Sequence, residues 1–228
     1  MGITVRGQVG PQSLQDGSEQ GLRQGRSAEL VVQELHGRFY EQTYRGNVYS
    51  VGMGLTALSA NTITLTATTT PILGVWNPGT SLVNLVMLQA SLGFVLNTLT
   101  APVAPGPMVW ASSIGNNVIT TGGAPFNHKT LASAGSSAKS FTPATALTGL
   151  TNNLVIFEAG DFPQASGQTA GTITASTTSS QFAAGFSGVQ NFDGLLIVPP
   201  GGVLALLNTT STTTYSVAGR LVWEEVPL

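Results

Sequence analysis

Apolar and polar residues alternate with a period of two in several stretches of this chain, the spacing of strands rather than of helices. The pattern is clearest over residues 192–226, where Leu195, Leu196, Ile197 and Val198 run into Pro199-Pro200-Gly201-Gly202. Two prolines cannot donate to a strand ladder and two glycines allow positive φ, so the chain must turn there. Residues 203–207 leave this elbow as a run too apolar to face water on both sides. From Ser216 on, Val217, Leu221 and Trp223 share one face, while Arg220 and Glu224 share the other. Terminal strands of this kind pair inside a sheet, which predicts a body closed by its own C-terminus.

Other stretches repeat the signal. Thr62-Ile63-Thr64-Leu65-Thr66-Ala67-Thr68 alternates strictly and predicts a half-buried strand. Asn77-Pro78-Gly79-Thr80 reads as a turn into residues 82–96. There Leu82, Val86, Leu88, Ala90, Leu92, Phe94 and Leu96 occupy even positions, and the odd ones pass from Val83, Leu85 and Met87 to Gln89, Ser91 and Gly93. That predicts a long central strand, buried on both faces at its start and on one face later. Residues 101–107 hold three prolines and form a rigid connector, and residues 111–150 read as loops with short edge strands. Residues 154–157 make a compact strand; Thr172-Ile173-Thr174, inside a low-complexity stretch, is an edge-strand candidate. Seven or eight short strands separated by turns predict an all-β fold, a jelly-roll-type antiparallel β-sandwich.

Charge divides the chain. Residues 1–45 contain Arg6, Arg23, Arg26, Arg38 and Arg45 with Asp16, Glu19, Glu29, Glu34 and Glu41, whereas residues 46–128 contain no Asp, Glu, Lys or Arg. A break this sharp marks a boundary between an extended N-terminal arm, 1–45, and a sandwich body, 46–228. Residues 1–25 are polar and punctuated by glycine, too poor in apolar surface to offset their ordering entropy without a partner. Residues 27–45 form a more ordered segment. Leu30, Val31, Val32 and Leu35 fit a short helix started by Ser27 or a strand ending at Gly37, and periodicity does not decide between them. Phe39, Tyr40, Tyr44 and Tyr49 alternate with Arg38 and Arg45, the residue types that dominate interface energetics.

Composition narrows the function. Only 8% of the 228 residues are charged and the mean hydropathy is +0.23, so Thr, Ser, Asn and Gly must cover the surface. Such a surface is poorly protected against association, which predicts packing against copies of itself or a partner. A net charge of −2 offers no general attraction for nucleic acid or an acidic membrane. The absence of cysteine excludes disulfides, thiolate metal sites and a Cys nucleophile. Residues 1–25 have no apolar core of a signal peptide, and no apolar run reaches the roughly 20 residues of a membrane span.

Catalytic constellations are sparse. His128 and Asp161 could join a serine, but no GxSxG elbow supports a hydrolytic triad. Glu158 and Asp161 are a close carboxylate pair on a turn, which reads as a solvated turn before a glycosidase site. Glu34, His36 and Glu41 lack HExxH spacing for zinc. Gly122-Gly123 lacks the Gly-Lys-Ser/Thr ending of a phosphate loop. No catalytic residue, metal site or cofactor is expected.

The stretch GLRQGRSAELVVQELHGRFYEQTYRGNVYS at 21–50 resembles the N-terminal region of virion structural proteins of tailed bacteriophages. The body, with VWNPGTSLVNLVMLQASLGFVL at 75–96 and the PPGG…LVWEE ending, resembles jelly-roll capsid-decoration (cement) proteins of those viruses. The resemblance implies a homo-oligomer, a trimer, on the capsid exterior, assembled in the host cytoplasm. It implies an arm that ties the protein to the major capsid protein, other virion proteins or neighbouring copies. Arg23, Arg26, Arg38, Phe39, Tyr40, Tyr44 and Arg45 are the arm's candidate contacts. A competing reading is a tail-fibre or spike component that binds host carbohydrate through Trp110, Asn116, Asn117, Phe126 and His128. A shell-forming capsid protein is a third, but its arm would be strongly basic, whereas this one sums to zero.

Overall fold

The computed structural model describes residues 7–8, 22–23, 37–58, 65–96, 107–151, 155–159 and 185–228. The chain forms two units, Met1–Glu41 and Gln42–Leu228. In the first, β1 (Gly7–Gln8) pairs in parallel with β2 (Leu22–Arg23). The division falls inside α1 (Tyr40–Arg45), a few residues ahead of the charge break.

The second unit carries the strands β3 (Val48–Leu58), β4 (Leu73–Trp76), β5 (Val83–Leu96), β6 (Met108–Ser113), β7 (Phe126–Asn127) and β8 (Lys139–Phe141). There follow β9 (Val155–Ala159), β10 (Gly185–Asn191), β11 (Ile197–Val198), β12 (Val203–Asn208) and β13 (Thr212–Pro227). One sheet runs β10–β5–β13–β3–β7, with β11 also on β5; the other runs β8–β4–β12–β6–β9. Setting the short β7, β8 and β11 aside leaves β10–β5–β13–β3 against β9–β6–β12–β4. Each step along these eight strands crosses to the other sheet, except β6 to β9. This is the jelly roll that the strand pattern predicted, with every pairing in it antiparallel.

The two sheets bury a shared core. Leu204 and Leu206 of β12 and Trp110 of β6 meet Leu92, Leu221 and Trp223 of the facing sheet. Val203, Ala205 and Leu207 point the other way, under Leu65, Ile119, Phe141 and Leu147. β12 is therefore buried on both faces along its whole length, which its uninterrupted apolar sequence requires. Its entrance is the Pro-Gly elbow. Gly202 N–H donates to the Pro199 carbonyl at 2.8 Å, and Gly201 has a φ of 76°. That is a type II turn, with proline at the second position and a glycine where positive φ is needed.

Two buried asparagines hold the elbow. The Asn77 side chain donates to the carbonyls of Val83 at 2.8 Å and Val198 at 3.1 Å, while its backbone pairs with Gly201 and Gly202. Asn116 donates from its side chain to the Ser113 hydroxyl at 2.6 Å and accepts from Thr151 N–H at 3.0 Å. Its carbonyl takes the Trp76 indole N–H at 2.8 Å.

Two expectations are corrected. Residues 65–68 are a turn, not a strand: Thr69 N–H bonds the Thr66 carbonyl at 3.0 Å, and the Thr69 hydroxyl accepts from Thr66 N–H at 2.9 Å. Threonine hydroxyls offered the backbone a local alternative to the ladder. Residues 62–64 lie outside the described residues. The start of β5 is not buried on both faces either: Leu82 is exposed, and Leu85 and Met87 face the core while Val86 is half-exposed. In the register with β13, Val222 pairs Gln89 and Trp223 pairs Met87, so Leu88 is one extra residue, a bulge. It switches the core-facing parity from odd to even, giving Ala90, Leu92 and Phe94. The Leu88 carbonyl accepts from Phe192 and Asp193 N–H, so the turn after β10 secures the bulge. The candidate segments 30–35 and 172–174 lie outside the described residues.

Gly219 of β13 faces inward against β5. A Cβ there would run into the Leu92 side chain and sit 2.7 Å from the Ser91 carbonyl oxygen, so neither neighbour can give way cheaply. Gly219→Ala is expected to destabilise the fold by about 1–3 kcal/mol, the usual cost of overpacking, and to lower the urea midpoint without changing the slope.

Candidate partner-binding surface

α1 ends in a closed C-cap. Gly46, with a φ of 85°, donates to the Thr43 carbonyl at 3.0 Å, and Asn47 N–H donates to the Gln42 carbonyl at 3.0 Å. These two bonds are the Schellman arrangement, which requires a residue free of Cβ strain after the last turn. The Gly46 carbonyl then accepts from the Asn127 side chain at 2.8 Å, and Asn47's carbonyl from Glu225 N–H at 2.8 Å. Gly46 and Asn47, just past the helix, are thereby fastened to β7 and to the end of β13.

Asn127 also organises the loop that follows it. Its Oδ1 accepts from Lys129 N–H at 2.9 Å and Thr130 N–H at 3.1 Å, and its backbone bonds Leu131 and Ala132. Leu131 is held at a φ of 57°, a left-handed conformation that a leucine rarely adopts, with 72% of its surface exposed. Beside it the Lys129 ammonium sits 5.1 Å from the centroid of the Tyr44 ring, a cation–π contact, and Tyr44 is itself 62% exposed. Phe126 and His128 meet edge to face at 5.7 Å. The result is a rigid surface of exposed apolar, aromatic and basic groups, the composition of binding hot spots.

Behind it lies a half-buried polar layer. The Ser136 hydroxyl makes a short hydrogen bond to Glu225 Oε1, and the Tyr49 hydroxyl lies near the Asn127 amide. Burial pushes the Glu225 carboxyl above its ordinary 4.5, opposed by the bonds from Ser136 and the Trp223 indole. Trp223 Nε1 is buried without a hydrogen bond of good geometry, so the indole assists by its dipole more than by a full bond. Burial, with the Glu225 charge adding to it, raises Tyr49 above 10.0, the Asn127 amide opposing. His128 moves down from 6.5, mainly through burial and further through Arg220. Its Nε2 is buried without a hydrogen-bond partner, which also disfavours a charged ring.

The sequence-predicted residues fall as follows. Tyr44 belongs to this surface and Arg45 ends the helix that carries it. Arg38 lies over the Phe39 ring at 5.3 Å and Tyr40 opens α1, all within the first unit. Arg23 is known only as a backbone position of β2, and Arg26, Glu34, His36 and Asp161 lie outside the described residues. Of the carbohydrate candidates, Phe126 and His128 are in contact. Trp110 is fully buried with its indole on Gln190 at 2.8 Å, and Asn116 is buried in the elbow network, so neither can meet a sugar. Lys129, Leu131 and Glu225 were not anticipated. Lys129 is the first charge after the uncharged run of 46–128, a signal that could have drawn notice. Among the described residues no group of three or more His, Asp or Glu could hold a metal ion, and no helix is long and apolar enough to cross a membrane.

Comparison with known proteins finds no family model that matches the chain and no curated protein with significant similarity to it.

The titrations have opposite signs. His128, depressed when folded, contributes stability that is present above 6.5 and lost as pH falls through its folded value. Glu225, raised when folded, contributes stability that is present below 4.5 and lost as pH rises through its folded value. Relative to the native chain, His128→Gln should therefore gain thermal midpoint on acidification, and Glu225→Gln should gain it as pH rises above 4.5. Midpoints measured from pH 4.5 to 8.5 check both; variant curves that simply parallel the native one would contradict the assignment.

Proposed function

We propose that this protein is a structural component of a bacteriophage virion that decorates the capsid from outside and braces it. The Tyr44–Lys129–Leu131 surface, with the arm, engages the major capsid protein or another virion protein. The observation that carries the reading is that surface: pre-shaped, hydrogen-bonded from below, and set on a body nearly devoid of charge. A jelly roll is a recurrent scaffold of viral capsid proteins, and the same fold serves lectins and cupins, so fold alone does not decide. What favours bracing is the distribution of groups. The exposed apolar and basic side chains sit on a backbone fixed by Asn127 and the α1 cap, which lowers the ordering cost of docking. The resemblance of residues 21–50 to the N-terminal region of phage virion structural proteins, and of residues 75–96 and the PPGG…LVWEE ending to decoration proteins, points the same way. The carbohydrate-binding alternative has lost Trp110 and Asn116 to the interior.

Binding is tested by co-sedimentation of the full chain with purified expanded capsids. Leu131→Asp and Lys129→Glu should each weaken binding tenfold or more, on the order of 1.4 kcal/mol, with unchanged circular dichroism. Undiminished capsid binding in both variants would move the contact elsewhere. Binding to a glycan array, with none to capsids, would replace the proposal by the fibre reading.

A further inference from the structure

The outer face of the larger sheet can be read from its register. Across β10 or β11, β5, β13 and β3, one row is Ile197, Val86, Glu224 and Val48. The next is Asn191, Gln89, Val222 and Ser50, and the third is Val189, Ser91, Arg220 and Gly52. These rows hold one cation and one anion, both on β13 and equally distant from Val222. They also hold two exposed apolar side chains, Val189 at 55% and Ile197 at 50%, in the two outer rows of the same edge.

We infer that this face pairs with the same face of a second copy about a two-fold axis running along the middle row, over Val222. Such an axis reverses strand direction and keeps strand order, so the third row of one copy lies on the first row of the other. Arg220 then faces the partner's Glu224, and Val189 faces the partner's Ile197. One operation matches the charges and the apolar pair together, the self-complementarity that an isologous interface needs. Any other register along the strands leaves Arg220 or Glu224 against an uncharged row. Val48, Ser50 and Val222 are shielded within the protomer, so the contact is made by the flanking, more exposed positions.

Four strands spaced ~4.8 Å and about nine residues at ~3.3 Å give a face of roughly 20 by 30 Å. That is about 600 Å² per copy before side-chain relief, less the part shielded at Val48, Ser50 and Val222, which places the contact at the small end of specific interfaces. Twisted sheets pack face to face within about 30° of aligned, so β13 can lie along its copy without distortion.

The inference does not rest on a role in a virion. Sedimentation equilibrium of the full chain should give a dimer. Arg220→Glu and Glu224→Arg each place two like-charge pairs in the interface, by symmetry, and should weaken it about 100-fold or more. The double swap R220E/E224R should restore self-association to within a few-fold of the native chain. Val189→Asn, an exposed edge position, should weaken association without touching either charge, and circular dichroism monitors folding throughout. A native monomer or trimer, single variants that associate normally, or a folded double swap that fails to recover would each overturn the inference. Capsid binding measured on the same variants separates this contact from the Leu131 surface.

Discussion

β13 is the strand on which the structure depends. It lies between β5 and β3, pairing with both, so the larger sheet cannot close until the last part of the chain arrives. Its inward residues Val217, Leu221 and Trp223 fill the core, and its outward Arg220 and Glu224 carry the charge of the sheet's outer face. Near its end Glu225 secures the Ser136 loop and, through its N–H, the exit of α1. Pairing β13 with β3 joins residues far apart in sequence. Loop-closure entropy is met before these contacts form, which favours slow folding over rapid local assembly.

The opposite sheet solves a different problem. β12 has no polar face, so segments from 65–72 and 119–150 cover the side that the sandwich leaves open. The chain entering β12 must turn sharply, and its exposed carbonyls must find donors inside the protein. Asn77 and Asn116 supply several bonds each at the elbow. Burying amides costs little when nearly all their groups are paired, and these amides also tie β4, β5, β6 and β11 to one another.

Much of this was legible because strand periodicity is local. The faces of β13, the double burial of β12 and the turn at Pro199–Gly202 follow from neighbouring residues alone. The bulge at Leu88 was not legible, since an extra residue in one strand shows only against its partner's register. The Thr66–Thr69 turn hid behind an alternating pattern because threonine suits both a strand and a side-chain-capped turn. The surface around Lys129 was least accessible. It depends on Asn127 reaching Gly46 across a gap of 81 residues, and nothing in either neighbourhood specifies the other. Glu225 could have been placed: two residues beyond Trp223, it continues the core-facing parity of β13.

Leu131 joins these themes. A leucine in left-handed backbone costs about 1–2 kcal/mol relative to ordinary conformations, and an exposed one recovers nothing from burial within its own chain. The conformation persists because Asn127 bonds three of the residues around it and is itself locked to Gly46. A loop free to relax would hide the side chain or lay it along the surface. Here the backbone is over-determined, so the leucine is presented outward beside Lys129 and Tyr44. Strain of this kind is retained where display matters more than local stability. On a body with so few charges, a fixed apolar tip flanked by a cation gives a partner both orientation and contact.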